Sequence, residues 1–184
     1  MDFFNQHIEA AVQLDCDHMV VSTGFAYLDV DAEDAFGWCA EAMGRIARKA
    51  EQEGVTLAVE PFTKYTTHIC NEASQLRRLL RTVNNPRLMG LADTDVIATT
   101  AVDTFSTFLD VIGPENLGHV HFVDGNPGGH LVPGDGVLDL DGALEKLKAI
   151  HYTGALGLEV LDRRYVFAPE AAMKQAMDWY KERI

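Results

Sequence analysis

The stretch "GHVHFVDGNPGGHLVPGDG", residues 118–136, holds the clearest clue to the fold. It sets His119 and His121 two positions apart in an apolar run. It then enters a loop of glycines and prolines that carries Asp124, His130 and Asp135. Either a buried strand ends here in a site, or this is a loose turn with incidental histidines. The rest of the chain separates the two.

The chain has 184 residues, enough for one domain with a real hydrophobic core. Its 47% hydrophobic and 23% charged residues are ordinary globular composition. Acids outnumber bases, 28 Asp and Glu to 15 Lys and Arg, which argues against nucleic acid or an anionic membrane as a partner. The dense basic run Arg77–Arg81, "RRLLR", reads as the solvated face of a helix. Cys16, Cys39 and Cys70 are far apart and form no C-x-x-C pair, so neither a zinc ribbon nor a disulfide framework is indicated. The opening "MDFFNQHIEAAV" has no signal-peptide pattern, and no stretch is apolar for long enough to span a membrane. The expectation is a cytoplasmic protein.

Working outward from the histidines, helices and strands alternate. Residues 2–14 have helical spacing, and 18–23 read as a short buried strand ended by Gly24. Residues 31–54 predict a long amphipathic helix, acidic at its start and basic towards its end, with Gly54 as its C-cap. A strand at 55–60 precedes a helix with Asn71 as its N-cap, and a strand at 87–93 precedes a weaker helix at 101–111. Strand 117–124 then leads to a helix at 139–150. Strand 153–160 leads to a last helix with Pro169 near its first turn. Five strands, each followed by a helix, make a parallel sheet covered by helices, either doubly wound or part of a β/α barrel. No glycine-rich phosphate loop follows the first strand, which tells against the doubly wound nucleotide binder.

Polar residues gather where strands finish: Ser22, Glu60, Asp93, His121 and Glu159. In a barrel those ends converge on one face. A carboxylate closing an apolar run is costly to bury unless something pairs with it. Any one of these residues alone reads as a helix cap or a core histidine. Glu60, Asp93, His121 and Glu159 on four successive strands are hard to assemble by accident. Two Glu, one Asp and one His suit Mn²⁺, Mg²⁺ or Co²⁺, and Zn²⁺ is also admissible. His119 shares a strand face with His121, and position nearest the strand end favours His121. His119 and His68 are read as structural.

The motifs "VEPFTKYTTHICN", "LAD", "HVHFVD", "HLVPGDG" and "LGLEV", in this order, resemble the C-terminal two-thirds of the xylose-isomerase-like sugar isomerases and epimerases. Within that superfamily they look closest to the fructoselysine 3-epimerases, with D-tagatose and D-psicose 3-epimerases further out. The resemblance implies a partial (β/α)8 TIM barrel of about five parallel strands, the fourth to eighth of a full barrel. It implies Glu60, Asp93, His121 and Glu159 as metal ligands, Mn²⁺ first among the cations, and Glu60 and Glu159 as catalytic acids. The reaction it implies is deprotonation and reprotonation beside a ketose carbonyl, through a cis-enediolate. It also places His130 where relatives have a basic side chain that touches substrate, and gives Asp135 of "PGDG" a structural role.

Two departures stand out. Thr66 occupies the substrate-contacting position where relatives carry an acid, and Val96 the position where several carry a histidine. A full barrel of this kind also needs eight strands and about 250 residues. The expectation is therefore one N-terminally truncated barrel domain, residues 1–184, that pairs with another copy or a partner chain, folds its first helix over the gap, or is only marginally stable. Two functions follow: an epimerase or isomerase of a keto-sugar or sugar amine, or a non-catalytic metal-binding remnant of such a barrel. A phosphodiesterase on the same fold would need more His and Asp ligands and a basic groove, and the sequence has neither.

Overall fold

The computed structural model describes residues 2–27 and 29–183. Helix α1 (Asp2–Gln13) leads into strand β1 (His18–Ser22), followed by α2 (Ala32–Glu53) and β2 (Thr56–Glu60). Next come α3 (Ala73–Val83), β3 (Leu88–Asp93), α4 (Thr94–Thr100), α5 (Phe105–Ile112) and β4 (Leu117–His121). The chain closes with α6 (Leu140–Ala149), β5 (Leu156–Gly157) and α7 (Pro169–Lys181). The five strands are parallel and neighbour one another in chain order. They form a curled half-barrel with the helices between them, part of a TIM barrel, which settles the choice that the alternation of elements left open.

The helices form because their apolar residues recur at three and four. Ile46, Ala47 and Ala50 of α2, Leu76, Leu79 and Leu80 of α3, and Phe108, Leu109 and Ile112 of α5 are all buried. They share one core with Leu57, Val59, Val120 and Phe122 from the strands or their ends. Each large side chain buried there contributes about 1.5–3 kcal/mol. Strands β2 and β3 cross this core as near-continuous apolar runs, whereas β1, expected to be buried, is an edge strand with only Val21 buried.

Register places those last residues. Ser22 pairs with Glu60, Asp93 with His121, and His121 with Gly157. Glu159 lies two residues beyond that last pair. Among the described residues β1 pairs only with β2, and β5 only with β4. Both margins carry exposed apolar side chains, with Phe3, Leu14 and Val20 at the first and Leu161, Val166 and Phe167 at the other. No helix of the described residues is long and apolar enough to cross a membrane.

Several local expectations need correction. The weak helix expected at 101–111 is α5, which starts only at Phe105, and a separate helix, α4, precedes it directly after β3. Asp93 caps α4 directly, its Oδ1 accepting from the N–H groups of Asp95 and Val96. Ala101 at φ 55° then ends that helix, and Thr104 caps α5. The N-cap of α3 is Glu72, not Asn71; the Asn71 side chain donates to the carbonyls of Phe62 and Thr67 instead. In α2 the cap at Gly54 is as expected, but the last turn holds no base, and Lys49 reaches Glu53 at 2.7 Å. The final strand shrinks to Leu156–Gly157, because β4 offers it ladder partners only as far as His121.

Candidate metal and active site

Four side chains meet at the carboxyl rim of the half-barrel. Glu60 ends β2, Asp93 ends β3, His121 ends β4, and Glu159 follows β5. Each offers a ligand atom, and these atoms all lie within 4.8 Å of one another. His121 Nδ1 stands 3.1 Å from Glu60 Oε1, 3.3 Å from Glu159 Oε2 and 3.5 Å from Asp93 Oδ2. Glu60, Asp93 and His121 are buried, and Glu159 is partly exposed on the open side.

One ring N–H cannot satisfy three carboxylates. Asp93 shows the shortfall most clearly: its Oδ1 is spent on capping α4, while its buried Oδ2 has the His121 and His130 ring nitrogens 3.5 and 3.3 Å away, neither in hydrogen-bonding geometry. A buried, charged acceptor left this way is costly. A hard divalent cation among these four donors would satisfy that oxygen and offset the repulsion of the carboxylates. The residues present therefore fit a metal of the kind the donor set suggests.

The electrostatics agree. Burial would lower the His121 pKa, but Asp93, Glu159 and Glu60 outweigh it and raise it to about 11. The His121 and His130 rings hold the Glu159 carboxyl down at about 2. Burial raises the Asp93 carboxyl, yet those same two rings outweigh it and keep it below the usual range.

His130 is the second ring. Its Nε2 lies 3.3 Å from Asp93 Oδ2 and 3.4 Å from Glu159 Oε2, at the edge of the cluster. The glycine-rich loop brings it there by folding around two buried carboxylates. Asp124 accepts from the N–H groups of Gly125 and Leu138 through one oxygen, and of Gly134 and Gly136 through the other. A Cβ on Gly136 would sit 2.3 Å from Asp124 Oδ1, so only glycine allows that approach. Asp95 accepts from the N–H groups of Gly128 and His130. Residue 130 is left-handed at φ 48°, an arrangement worth about 1–3 kcal/mol of strain for a non-glycine residue.

The remaining candidates fall elsewhere. Asp135 accepts from Tyr165 Oη and Gln175 Nε2 at 2.7 Å each, which ties the loop to α7. His119 packs edge-on against His121 with ring centroids 5.3 Å apart, and His68 lies partly buried away from the four donors. Thr66 is exposed, its hydroxyl 3.0 Å from that of Thr63. The sequence reading gave Asp95 no role. The available signal was a second acid two residues after Asp93, facing a loop whose glycine N–H groups need an acceptor.

A half-barrel with a carboxylate and histidine cluster at its carboxyl rim belongs to a recognisable class of β/α-barrel proteins. The chain is a member of the xylose isomerase-like TIM barrel family, whose sequence profile matches residues 1–183. It is similar to fructoselysine 3-epimerase of Shigella flexneri, with 25% identity over 183 residues covering 98% of this chain and 65% of that protein. It is also similar to the structure of D-psicose 3-epimerase in the presence of D-fructose, at a TM-score of 0.78 and 24% identity, covering 87% of this chain and 55% of that one. The IOLI protein with a bound zinc atom is a further match, at a TM-score of 0.81 and 19% identity, covering 96% and 66% respectively. The chain thus spans about 65% of the length of the epimerase it matches.

Proposed function

We propose that this chain carries the site of a metal-dependent epimerase or isomerase of a keto-sugar or a fructosamine-type sugar amine. The observation that carries this reading is the convergence of Glu60, Asp93, His121 and Glu159 within 4.8 Å at successive strand ends. The epimerase relatives support the substrate class, and the zinc-bearing neighbour supports a cation. In this reading the four residues hold the metal, Mn²⁺ ahead of Mg²⁺, Co²⁺ or Zn²⁺. When bound, that cation would draw developing negative charge onto the substrate's carbonyl and hydroxyl oxygens.

Glu60 and Glu159 come from the two outer strands of the four, so they flank Asp93 and His121 around the arc. One carboxylate removes the proton from the carbon beside the carbonyl, and the other returns a proton to the opposite face. His130 Nε2, at the cluster's edge, meets a substrate oxygen, and Thr66 offers a hydroxyl from the loop after Glu60. Among the described residues β1 and β5 each have one neighbour and stand beside exposed apolar side chains, which supports cover of these margins by a second copy or another chain.

A second reading, a metal-binding remnant without catalysis, draws on the same open margins and on the 65% span. Proton–deuterium exchange in D₂O, followed by NMR with Mn²⁺, ketoses and fructosamines, separates the two. Exchange at the carbon beside the carbonyl supports the enzyme. Metal binding without exchange supports the remnant.

A further inference from the structure

The feature of the site that the proposed reaction leaves unexplained is Asp95. It is fully buried, and both of its oxygens are committed to one loop. Oδ1 accepts from the Gly128 N–H at 2.5 Å, and Oδ2 accepts from the His130 N–H at 3.0 Å. The His130 ring adds a third contact, its Nδ1 lying 3.0 Å from the same Oδ2. The approach is close enough that a Cβ on Gly125 would fall 1.8 Å from Asp95 Oδ1. One carboxylate oxygen thus grips both the backbone and the ring of a single residue, and that residue is held left-handed, with Gly128 and Gly129 also at positive φ.

The consequence is directional. An ionised carboxylate 3.0 Å from Nδ1 accommodates a proton on that nitrogen and repels a bare one. With Nδ1 turned to Asp95, Nε2 is turned to the rim, where it stands 3.3 Å from Asp93 Oδ2 and 3.4 Å from Glu159 Oε2. The same short segment serves both ends of this arrangement: Asp93 enters the cluster, and Asp95, two residues on, orients the ring beside it. Strain at a residue aimed into a site persists only where the surroundings over-determine it.

We propose that Asp95 is a positioning residue. It fixes the ring orientation of His130, so that Nε2 meets an oxygen of the bound keto-sugar. This rests on the epimerase reading for the substrate, but not for the geometry. Long-range ¹H–¹⁵N correlation spectra of the chain, with His130 assigned through a His130→Gln control, show which nitrogen bears the proton. A protonated Nδ1 is expected, and a bare Nδ1 would overturn the proposal without any variant at Asp95 having to fold.

Kinetics provide the second arm, with Mn²⁺ and either D-fructose or fructoselysine. Asp95→Asn should raise KM about tenfold or more and leave Mn²⁺ affinity within about threefold. In the His130→Gln background the same change should add less than about twofold, because Asp95 acts through His130. A full additional loss there would make Asp95 a loop-folding residue and overturn the proposal. If the wild-type chain exchanges no substrate proton, the epimerase reading fails, while the spectra still decide the role of Asp95.

Discussion

Glu60 and His121 stand 61 positions apart in the chain and 3.1 Å apart in space. Parallel pairing through β3 brings them together, because each strand delivers its last residue to the same rim. Asp93 and Glu159 join them by the same route, and the site is the sum of four strand endings.

Divalent cation should stabilise the folded chain, since the unfolded chain lacks the cluster. At a Mn²⁺ concentration about a hundred times Kd, the gain is about 2.7 kcal/mol. For a chain of this size that raises Tm by about 5–10 °C. Thermal denaturation with Mn²⁺ and with EDTA measures it. His121→Gln should erase the difference.

Asp93 has two separable tasks. Asp93→Asn keeps an oxygen to cap α4 and removes the charge that faces the cluster, so its metal-free stability should hold within about 1 kcal/mol while the Mn²⁺-induced rise disappears. Asp93→Ala loses the cap as well and should cost about 1–2 kcal/mol more in urea titrations. Equal behaviour of the two variants would mean that the cap is energetically idle.

Glu159 is the most exposed of the four and caps nothing, so Glu159→Gln should leave the circular dichroism spectrum unchanged. Proton exchange beside the carbonyl should fall below detection in the same sample. Exchange at the parent rate would remove Glu159 from the acid–base role.

Asp124 should matter most to folding. Asp124→Ala leaves four N–H groups of the loop without their acceptor, only that of Gly125 on a buried residue, and at about 1–3 kcal/mol for a buried donor and less for the others the loss should reach about 3 kcal/mol. Gly136→Ala, whose Cβ collides with that carboxylate, should destabilise in the same direction. Urea midpoints of the two variants test this.

Thiol chemistry reports whether the open margins let the core breathe. Cys16 is exposed, whereas Cys39 and Cys70 are buried, and burial pushes the Cys39 thiol up to about 11 and Cys70 higher still. The thiolate is the reactive form, so a raised pKa means slow labelling. At pH 8 one thiol should react quickly in the native chain and three in denaturant.

The sequence alone determined the alternation of strands and helices, because periodicity and caps are local properties. It also determined the four strand-end donors, because a charged residue closing an apolar run is legible wherever it occurs. It missed α4, whose Thr, Val and Ile residues have weak helix propensity and whose cap is itself a site residue. It set the last strand too long and the α3 cap one residue early, since a ladder's end depends on its neighbour and a cap on its rivals. Only the tertiary structure decided that Asp95 and Asp124 are buried inside the glycine loop, that His130 is turned toward the cluster, and that one oxygen of Asp93 makes no hydrogen bond. Those facts depend on distances between residues remote in sequence, and register and curl set such distances only once the chain is folded.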